Sequence, residues 1–391
     1  MSKSIPNRNR SVETIVTHSG RPDPRDTPFV NTPVVRASTV LFENLAATKN
    51  PGTKYVYGRR GTPTSEALTD VLSELEGAAG TLVTPSGLAA VSIALLSVLS
   101  TGDHLLMTDS AYGPTRLFCE GVLKRYGVET TYYDPLIGAD IAGLIRPNTR
   151  AVFMESPGSL TFEVQDVPAI VAAAKARGIV TLIDNTWATP VYFKPLAHGI
   201  DIALMAGTKY VVGHSDAMIG TIACAESVWA AVKRTYGDMG MFTGPDDMYL
   251  ALRGLRTMPV RLARHFESAL TVARWLEQRS EVARVLHPAL PSDPGHAIWK
   301  RDFGGASGLF AFELQPVAHE RIAAMIDGLE LFGIGYSWGG FESLVTLVDL
   351  KGIRTASAAP TRPVVRLHVG LEDPADLIAD LDAGFSRLAG G

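Results

Sequence analysis

The sequence contains few cysteines, no excess of basic residues and no long apolar run. Its 391 residues include two cysteines, Cys119 and Cys224, which argues against a disulfide framework or a thiolate metal site. A formal net charge of −4 gives little electrostatic support for binding nucleic acid. No stretch reaches the roughly 18 apolar residues of a membrane span, and the N-terminus lacks the apolar core of a signal peptide. We therefore expect a cytoplasmic protein with reduced thiols and no membrane or nucleic-acid partner.

Several common catalytic motifs are also missing. There is no G-x-G-x-x-G opening a strand–helix unit, no P-loop lysine motif and no H-E-x-x-H. No G-x-S-x-G elbow occurs. The nine histidines are scattered along the chain, which predicts no metal site.

From Thr64 onward, short apolar runs alternate with segments of helical length. In "SEALTDVLSELEG" Gly77 is a plausible C-terminal stop, and four apolar residues share one helical face: Leu68, Val71, Leu72 and Leu75. The strand-like runs that follow are "TLVT", "HLLMT", "TTYY", "RAVFMES", "IVTLID" and "DIALMA". Repeated alternation of this kind predicts an α/β fold with a mostly parallel sheet sandwiched by helices.

The two ends of the chain differ from this central part. Residues 1–60 are rich in Pro, Asn, Arg and Thr, which predicts an extended N-terminal arm. The alternative is a disordered tail, but the segment has too many apolar residues to be freely solvated. These residues are Phe29, Val34, Val35, Val40, Leu41 and Phe42. Residues 61–255 form the predicted large domain. Residues 256–391 predict a smaller C-terminal α+β domain, with strands in "ARVLH", "LFAFEL" and "VVRLHVG".

Polar residues at three strand ends point to chemistry. Asp184 ends "IVTLID", Lys209 follows "DIALMAGT", and Ser86–Gly87 opens a helix after "TLVT". Carboxyl ends of parallel strands share one edge, where ligands bind. A helix N-terminus binds phosphate, a desolvated lysine can become a nucleophile, and an acid can hold a pyridinium nitrogen protonated. Together these residues suggest a site for pyridoxal phosphate.

Each of these residues also has an ordinary interpretation. A lysine at a strand end is commonly a solvated surface residue, and an aspartate there commonly caps the following turn. Ser86 and Gly87 alone would be a helix cap. Only their order and shared sheet edge favour the functional interpretation.

Four segments carry a resemblance to a known family. "SPGSLTFEVQDV", "LIDNTWATP", "GTKYVVGHSDAMIG" and "YSWGGFESL" resemble the Cys/Met-metabolism pyridoxal-phosphate enzymes of fold type I, and the similarity runs from about Thr14 to the C-terminus. The resemblance implies a transferase-like α/β fold and a homotetramer of two tight dimers, with active sites shared across each dimer. It also implies a carbon–sulfur β-lyase that cleaves L-cystathionine to homocysteine, pyruvate and ammonia by α,β-elimination.

The same resemblance implies roles for residues around the cofactor. Lys209 would carry the pyridoxal phosphate and move protons, and Asp184 would pair with its pyridine nitrogen. The phosphate would lie at the Gly87 and Leu88 amides beside Ser86, with the Thr208 hydroxyl as a further contact.

Three aromatic and basic residues complete the implied cofactor site. Tyr112 would stack on the ring and take part in catalysis. Tyr57 and Arg59, in "YVYGRRG", would reach the phosphate of the neighbouring subunit, and Tyr57 would also border the substrate. Such a contact would explain why the N-terminal arm is apolar.

Arg366 is the predicted anchor for the substrate carboxylate. Alternation in "VVRLHVG" places Arg366 and His368 on one face of a strand, and a guanidinium can bind a carboxylate through two parallel hydrogen bonds. The alternative is a surface salt bridge. The resemblance at Ser337 and Trp338, both implied substrate contacts, favours the anchor.

The sequence also departs from the family pattern. Ala206 replaces a serine found in many relatives, which removes one phosphate hydroxyl. Trp338 stands where γ-acting members carry leucine, and Pro114 where methionine γ-lyases carry cysteine, so both point away from γ-elimination. Two alternatives stay open: a γ-acting relative (cystathionine γ-synthase or methionine γ-lyase) and a non-catalytic pyridoxal-phosphate-binding protein. Cleavage of cysteine or S-alkyl-cysteines is a further expected activity.

Overall fold

The computed structural model describes residues 10–25, 27–50 and 52–389. The parts of the predicted arm and C-terminal domain that fall at 1–9, 26, 51 and 390–391 lie outside the described residues. Within the described ranges the chain forms two sheets with helices packed around them.

The larger sheet has seven strands in the order β1-β7-β6-β5-β4-β2-β3. Only β7 runs antiparallel to its neighbours; the pairs among β2 to β6 are parallel. The strands are β1 Gly80–Thr84, β2 His104–Thr108, β3 Glu129–Tyr133, β4 Thr149–Glu155, β5 Val180–Asp184, β6 Ile202–Met205 and β7 Gly220–Cys224. The predicted mostly parallel sheet is confirmed, and the sequence missed only β7, whose five residues show no helix or strand period of their own.

The helices cover this sheet and flank the smaller one. The helix Pro63–Glu76 begins after the Thr62 cap. It is followed by Gly77, which is left-handed with φ 66°, and its predicted apolar face is buried. The helices are α1 Val12–His18, α2 Pro63–Glu76, α3 Gly87–Val98, α4 Gly113–Phe118, α5 Val167–Lys175, α6 Thr189–Tyr192, α7 Glu226–Asp238, α8 Pro245–Leu255, α9 Met258–Leu276, α10 His296–Asp302, α11 His319–Asp327 and α12 Pro374–Ala389. A π-helical turn at Cys119–Leu123 continues α4.

The smaller sheet has five strands in the order β10-β11-β12-β9-β8. Its strands are β8 Val282–Leu286, β9 Leu309–Leu314, β10 Gly333–Ile334, β11 Leu344–Val348 and β12 Val364–His368. All pairs are antiparallel except β10 with β11. The three predicted strands are present; β10 is only two residues long, and β11 follows a glycine-rich turn that obscured it.

The N-terminal arm is not extended throughout. Ser11 caps α1 by accepting from the Thr14 amide, and α1 buries Ile15 and Val16 in a core that includes residues of α2. In the described residues between α1 and α2, the regular elements are the short 3-10 turns Ala47–Lys49 and Gly58–Arg60. The domain boundaries after residues 60 and 255 stay predictions. No helix among the described residues has both the length and the apolar composition needed to cross a membrane.

Candidate active site

The structure brings the predicted strand-end residues to one edge of the seven-stranded sheet. Strands β5 and β6 pair in parallel, with Asp184 beside Leu204. Strand β1 is antiparallel to β7, which is antiparallel to β6, so β1 also ends at this edge, where α3 begins. Lys209 does not end β6; it lies in the turn that follows, and its amide donates to the Ala206 carbonyl (3.0 Å).

The first turn of α3 packs closely on the residue after β6. A Cβ atom added to Gly87 would lie 2.5 Å from the Ala206 Cβ, so this position requires glycine. Ser86 caps the helix by accepting from the Ala89 amide (3.1 Å). The first amides of a helix, here those of Gly87 and Leu88, have no acceptor within the helix. Together with the helix dipole they form a seat for a phosphate.

Thr208 lies in the same turn, with its hydroxyl already bonded. Its Oγ1 accepts from the Ile219 amide (2.9 Å) and donates to the Ile219 carbonyl (3.2 Å). The Thr208 amide donates to that carbonyl as well (3.0 Å). The hydroxyl proton could therefore turn toward a phosphate oxygen without leaving the Ile219 carbonyl unpaired.

Lys209 is a partly buried amine close to residues of the smaller sheet's domain. Its Nζ donates to Ser337 Oγ (2.8 Å) and lies 5.3 Å from the centroid of the Trp338 ring. Burial, then the charge of Arg366, lowers the pKa of Lys209 to about 8, while Asp184 opposes this shift. With this pKa about a tenth of the amine is unprotonated at pH 7, far more than for an ordinary lysine, and the unprotonated form is the one that acts as nucleophile and proton acceptor.

Asp184 is held by the turn that follows β5. Its Oδ1 accepts from the Thr186 amide (2.9 Å) and the Thr186 hydroxyl (2.5 Å). The same hydroxyl accepts from the Ala206 amide (2.8 Å), which ties the ends of β5 and β6 together. Burial raises the pKa of Asp184 and the Thr186 hydrogen bonds lower it. A cation placed against this carboxylate would favour its ionised form.

Tyr112 lies at the start of α4 with its side chain 49% exposed. Its amide donates to Glu155 Oε2 (2.8 Å). Burial, then Glu155 and Asp184, raises the pKa of the Tyr112 phenol above its usual value of 10.0. The phenol therefore stays protonated at neutral pH and can donate a proton.

Glu155 is a further residue at this edge of the sheet that was not predicted from the sequence. It ends β4 in register with Asp184, so both carboxylates lie on the same face at the same sheet edge. Burial and the charge of Asp184 raise the pKa of Glu155 well above its usual range. The available signal was its position at the end of the predicted strand "RAVFMES".

Arg366 lies within β12 and is only 9% exposed. Its Nη2 donates to the Tyr336 carbonyl (2.8 Å), and burial lowers the pKa of its guanidinium. Among the described residues no acidic side chain forms an ion pair with Arg366. The alternative of a surface salt bridge is therefore wrong, and the guanidinium keeps capacity for a carboxylate.

Tyr57 and Arg59 lie in the arm. Tyr57 is 45% exposed, and Arg59 Nη1 donates to the Gly237 carbonyl (3.1 Å). Across the described ranges no hydrogen bond or ion pair links either side chain to Lys209, Asp184 or Arg366. Their predicted role at a neighbouring subunit stays a prediction.

The residues at this edge fit pyridoxal phosphate. The α3 N-terminus suits the phosphate, the Lys209 amine suits the aldehyde carbon, and the Asp184 carboxylate suits the pyridine nitrogen. In the described part of the chain no group of three or more His, Cys, Asp or Glu side chains is placed to hold a metal ion.

Comparisons with known proteins agree over nearly the whole chain. A family model described as Cys/Met metabolism PLP-dependent enzyme matches residues 13–386. A provisionally named cystathionine beta-lyase of Rhizobium johnstonii is 54% identical, with 98% of each chain covered. The cystathionine beta-lyase of Escherichia coli is 46% identical over 97% of this chain and 99% of its own.

A solved structure extends the likeness to the fold. Cystathionine gamma synthase from Xanthomonas oryzae pv. oryzae, in complex with aminoacrylate and cysteine, is 31% identical and superposes with a TM-score of 0.91. The likeness covers 98% of this chain and 99% of that chain. The fold class that the resemblance implied is confirmed.

Proposed function

Because the chain belongs to the Cys/Met metabolism PLP-dependent enzyme family, we propose that it is a carbon–sulfur β-lyase cleaving L-cystathionine to homocysteine, pyruvate and ammonia. Family membership makes pyridoxal phosphate the cofactor and sets aside the non-catalytic alternative. Relatives named cystathionine beta-lyase, at 54% and 46% identity, support this reaction. The observation that carries the proposal is Lys209, an amine of lowered pKa on which the buried cation Arg366 acts.

Arg366 binds the substrate carboxylate in this proposal. Its guanidinium is buried and has no acidic partner among the described residues, so a carboxylate would supply the missing counter-charge. Two parallel hydrogen bonds would fix the direction of the amino acid. The substrate Cα would then be held at Lys209.

Lys209 moves the first proton. Its Nζ, unprotonated in part because burial lowers its pKa to about 8, accepts the proton from the substrate Cα. Pyridoxal phosphate, when bound, supplies the electron sink for the charge that develops at Cα. Asp184 supports this step by holding the pyridine nitrogen protonated.

Tyr112 or Lys209 supplies the second proton. When the Cβ–S bond breaks, its electron pair leaves with sulfur, and the thiolate takes a proton from Tyr112 Oη or from the Lys209 ammonium. The raised pKa of the Tyr112 phenol keeps that proton available at neutral pH. The remaining three-carbon enamine hydrolyses to pyruvate and ammonia.

The direct test replaces the lysine. We expect Lys209→Ala to lose at least about 10²–10⁴-fold in pyruvate formation from L-cystathionine, the range for a lost acid–base group. The matched control is Lys233→Ala, which removes an exposed lysine on α7 and should keep full activity. Equal turnover of the two variants would exclude Lys209 as the proton carrier.

A γ-acting enzyme is the second candidate, because the superposed structure is a cystathionine gamma synthase. The two reactions give different keto acids from L-cystathionine: β-elimination gives pyruvate and γ-elimination gives 2-oxobutyrate. We expect pyruvate to predominate. Predominant 2-oxobutyrate would favour the γ-acting alternative.

The proposal includes related β-substituted substrates. Cysteine and S-alkyl-cysteines carry the same carboxylate and the same Cβ–S bond, so Arg366 and Lys209 would treat them alike. Pyruvate release from S-methyl-cysteine is the test. A wild-type enzyme that turns over L-cystathionine but no smaller thioether would limit the activity to the larger substrate.

A homotetramer of two tight dimers is also part of the proposal. The arm exposes large apolar side chains that a partner subunit would cover: Phe29 68%, Val30 70%, Leu41 91% and Leu45 80%. Tyr57 and Arg59 would then reach the partner's cofactor phosphate. Sedimentation of the wild type should give a tetramer, and Leu41→Glu should weaken it; a wild-type monomer with full activity would contradict this assembly.

A cytoplasmic location completes the proposal. Cys119 and Cys224 are free and buried, and burial raises the pKa of each thiol to about 12. Such thiols suit a reducing compartment. Cell fractionation is the test, and recovery outside the cytoplasm would contradict it.

A further inference from the structure

The segment 335–340, between β10 and β11, packs directly on the proposed catalytic lysine. Its Ser337 Oγ accepts from Lys209 Nζ (2.8 Å). At Gly339, which has φ +84°, an added Cβ would lie 2.9 Å from the Lys209 Cβ and 3.0 Å from its Cα. The segment therefore rests against the lysine main chain, and its placement sets the position of Ser337.

One face of β12 binds this segment at both ends. Arg366 Nη2 donates to the Tyr336 carbonyl (2.8 Å). Two residues further along, His368 Nε2 lies 3.1 Å from the Gly339 amide nitrogen and 3.1 Å from the Gly340 carbonyl oxygen. Alternation along the strand puts both side chains on the same face. Arg366 and His368 thus hold consecutive parts of the segment.

We propose that His368 is a positioning residue of this enzyme, which fixes the Gly339–Gly340 turn and through it the contact of Ser337 with Lys209. This inference rests on the proposed function of Lys209. His368 is 1% exposed and contacts neither the amine nor the substrate anchor through a hydrogen bond in the described residues. It acts through the turn.

The ring of His368 suits this role because it is held neutral. Burial first, then the neighbouring His265, lowers its pKa well below 6.5, with Arg366 and Lys209 acting in the same direction. A neutral imidazole Nε2 can accept from the Gly339 amide or donate to the Gly340 carbonyl, depending on its tautomer. Neither backbone group has another hydrogen-bond partner among the described residues, so loss of the imidazole would remove the one hydrogen bond that holds this turn to β12.

The test compares three variants of the cofactor-loaded enzyme. His368→Phe fills the volume but offers no hydrogen bond, and His368→Gln places an amide that can accept or donate near the Nε2 position. The matched control is His287→Phe. His287 is also fully buried, and its Nδ1 accepts from the Ala289 amide (3.1 Å), but its ring packs on Phe310 of the smaller sheet.

The readouts are kcat, KM and the pH titration of the visible absorbance of the cofactor bound at Lys209. We expect His368→Phe to lower kcat roughly 10²-fold, the cost of a small misplacement of reacting groups. The absorbance midpoint should shift by about half a pH unit or more, the equivalent of one hydrogen bond. His368→Gln should stay within about threefold of wild type in kcat and keep the midpoint, since it can make the same hydrogen bond. His287→Phe should lower the melting temperature and leave kcat and the midpoint unchanged.

Two results would overturn the inference. In the first, His368→Phe loses thermal stability as the control does but keeps the wild-type kcat and absorbance midpoint. In the second, His368→Gln is as impaired as His368→Phe. The absorbance titration needs no substrate, so it decides this inference even if the wild type releases no pyruvate from L-cystathionine, which would overturn only the proposed reaction.

Discussion

The two sheets contribute residues to the proposed active site in different ways. The seven-stranded sheet contributes Asp184 and Lys209 at or beyond strand ends, where the chain turns. The five-stranded sheet contributes Arg366 and His368 from within β12, paired on both sides. Strand direction places the first pair of residues, and alternation along one strand places the second.

In the proposed mechanism, the residues in the turns after β5 and β6 act in the chemical step, whereas Arg366 within β12 binds the substrate. The turn residues are held by short local hydrogen bonds, such as those of Thr186 to Asp184. Arg366 is held between Thr346 and Ala311 in the ladders of two neighbouring strands. We therefore expect changes at Asp184 and Lys209 to affect the chemical step and changes at Arg366 to affect substrate binding, while His368 acts on the chemical step through the segment that contacts Lys209.

The largest expected effect is at the larger sheet. Asp184→Asn removes the charge facing the pyridine nitrogen, and loss of one partner from a buried ion pair costs about 3–5 kcal/mol. We expect kcat to fall by roughly two to four orders of magnitude, measured as pyruvate release. The control is Asp134→Asn, an aspartate that also follows a parallel strand and accepts from a backbone amide (Leu136, 2.8 Å), but at the outer strand β3. A similar loss in both variants would remove the special role of Asp184.

Arg366→Lys tests the smaller sheet. Lysine keeps the charge but cannot form two parallel hydrogen bonds, so we expect KM for L-cystathionine to rise about 10- to 100-fold with a smaller change in kcat. Arg362→Lys is the control, since Arg362 is an exposed arginine just before β12 whose Nη1 lies 3.7 Å from Oε2 of the buried Glu313. A fall in kcat without a rise in KM would break the separation of chemistry from binding.

The pKa of Lys209 links the two sheets. Because burial and Arg366 lower it to about 8, the amine is free above that pH and protonated below it. The rate at which the apoprotein takes up pyridoxal phosphate should rise about tenfold from pH 7 to pH 9 and then level off. In Arg366→Met the lost repulsion should move the midpoint to higher pH. A midpoint that stays in place would show that Arg366 does not contribute to the lowered pKa of Lys209.

The smallest expected effect on turnover is at Glu76, which lies in neither group of proposed site residues. Glu76 ends α2, is 3% exposed, and neither carboxylate oxygen has a hydrogen-bond partner in the described ranges. Burial raises its pKa from 4.5 to about 8. Between these values the folded state binds a proton that the unfolded state has released, so the free energy of unfolding falls as pH rises, by up to about 1.4 kcal/mol per unit.

Glu76→Gln should remove that slope and leave pyruvate formation unchanged. Urea unfolding at several pH values between about 5 and 8 measures it. If the free energy of unfolding of the variant falls with pH as steeply as that of the wild type, Glu76 is not the group that causes the fall.

The parallel architecture was accessible from sequence because each of its strands is a separate apolar run. All six apolar runs predicted as strands of the larger sheet are strands in the structure. Strands β7 and β11 were not predicted, because each is a short apolar run beside a glycine-rich turn and shows no alternation of apolar and polar residues. Helix α1 was missed because it has seven residues, of which only the adjacent Ile15 and Val16 are buried, and two neighbouring apolar residues show no periodicity.

The candidate site was accessible only in part. The shared edge of Asp184, Lys209 and the α3 start follows from strand direction alone. The roles of Glu155 and His368 do not, since each depends on which backbone amide its side chain meets. Tertiary packing decides such contacts; the sequence places Glu155 at a strand end and His368 on the face of Arg366, but it does not say which amide each side chain meets.

The close approach of Gly339 to Lys209 has a mechanical consequence. An added Cβ at Gly339 would lie 2.9 Å from the Lys209 Cβ, so the segment 335–340 cannot come closer to the lysine without a clash. A side chain at position 339 would push this segment away from the lysine and lengthen the contact between Ser337 Oγ and Lys209 Nζ. The glycine thus sets the closest distance at which the serine can meet the amine.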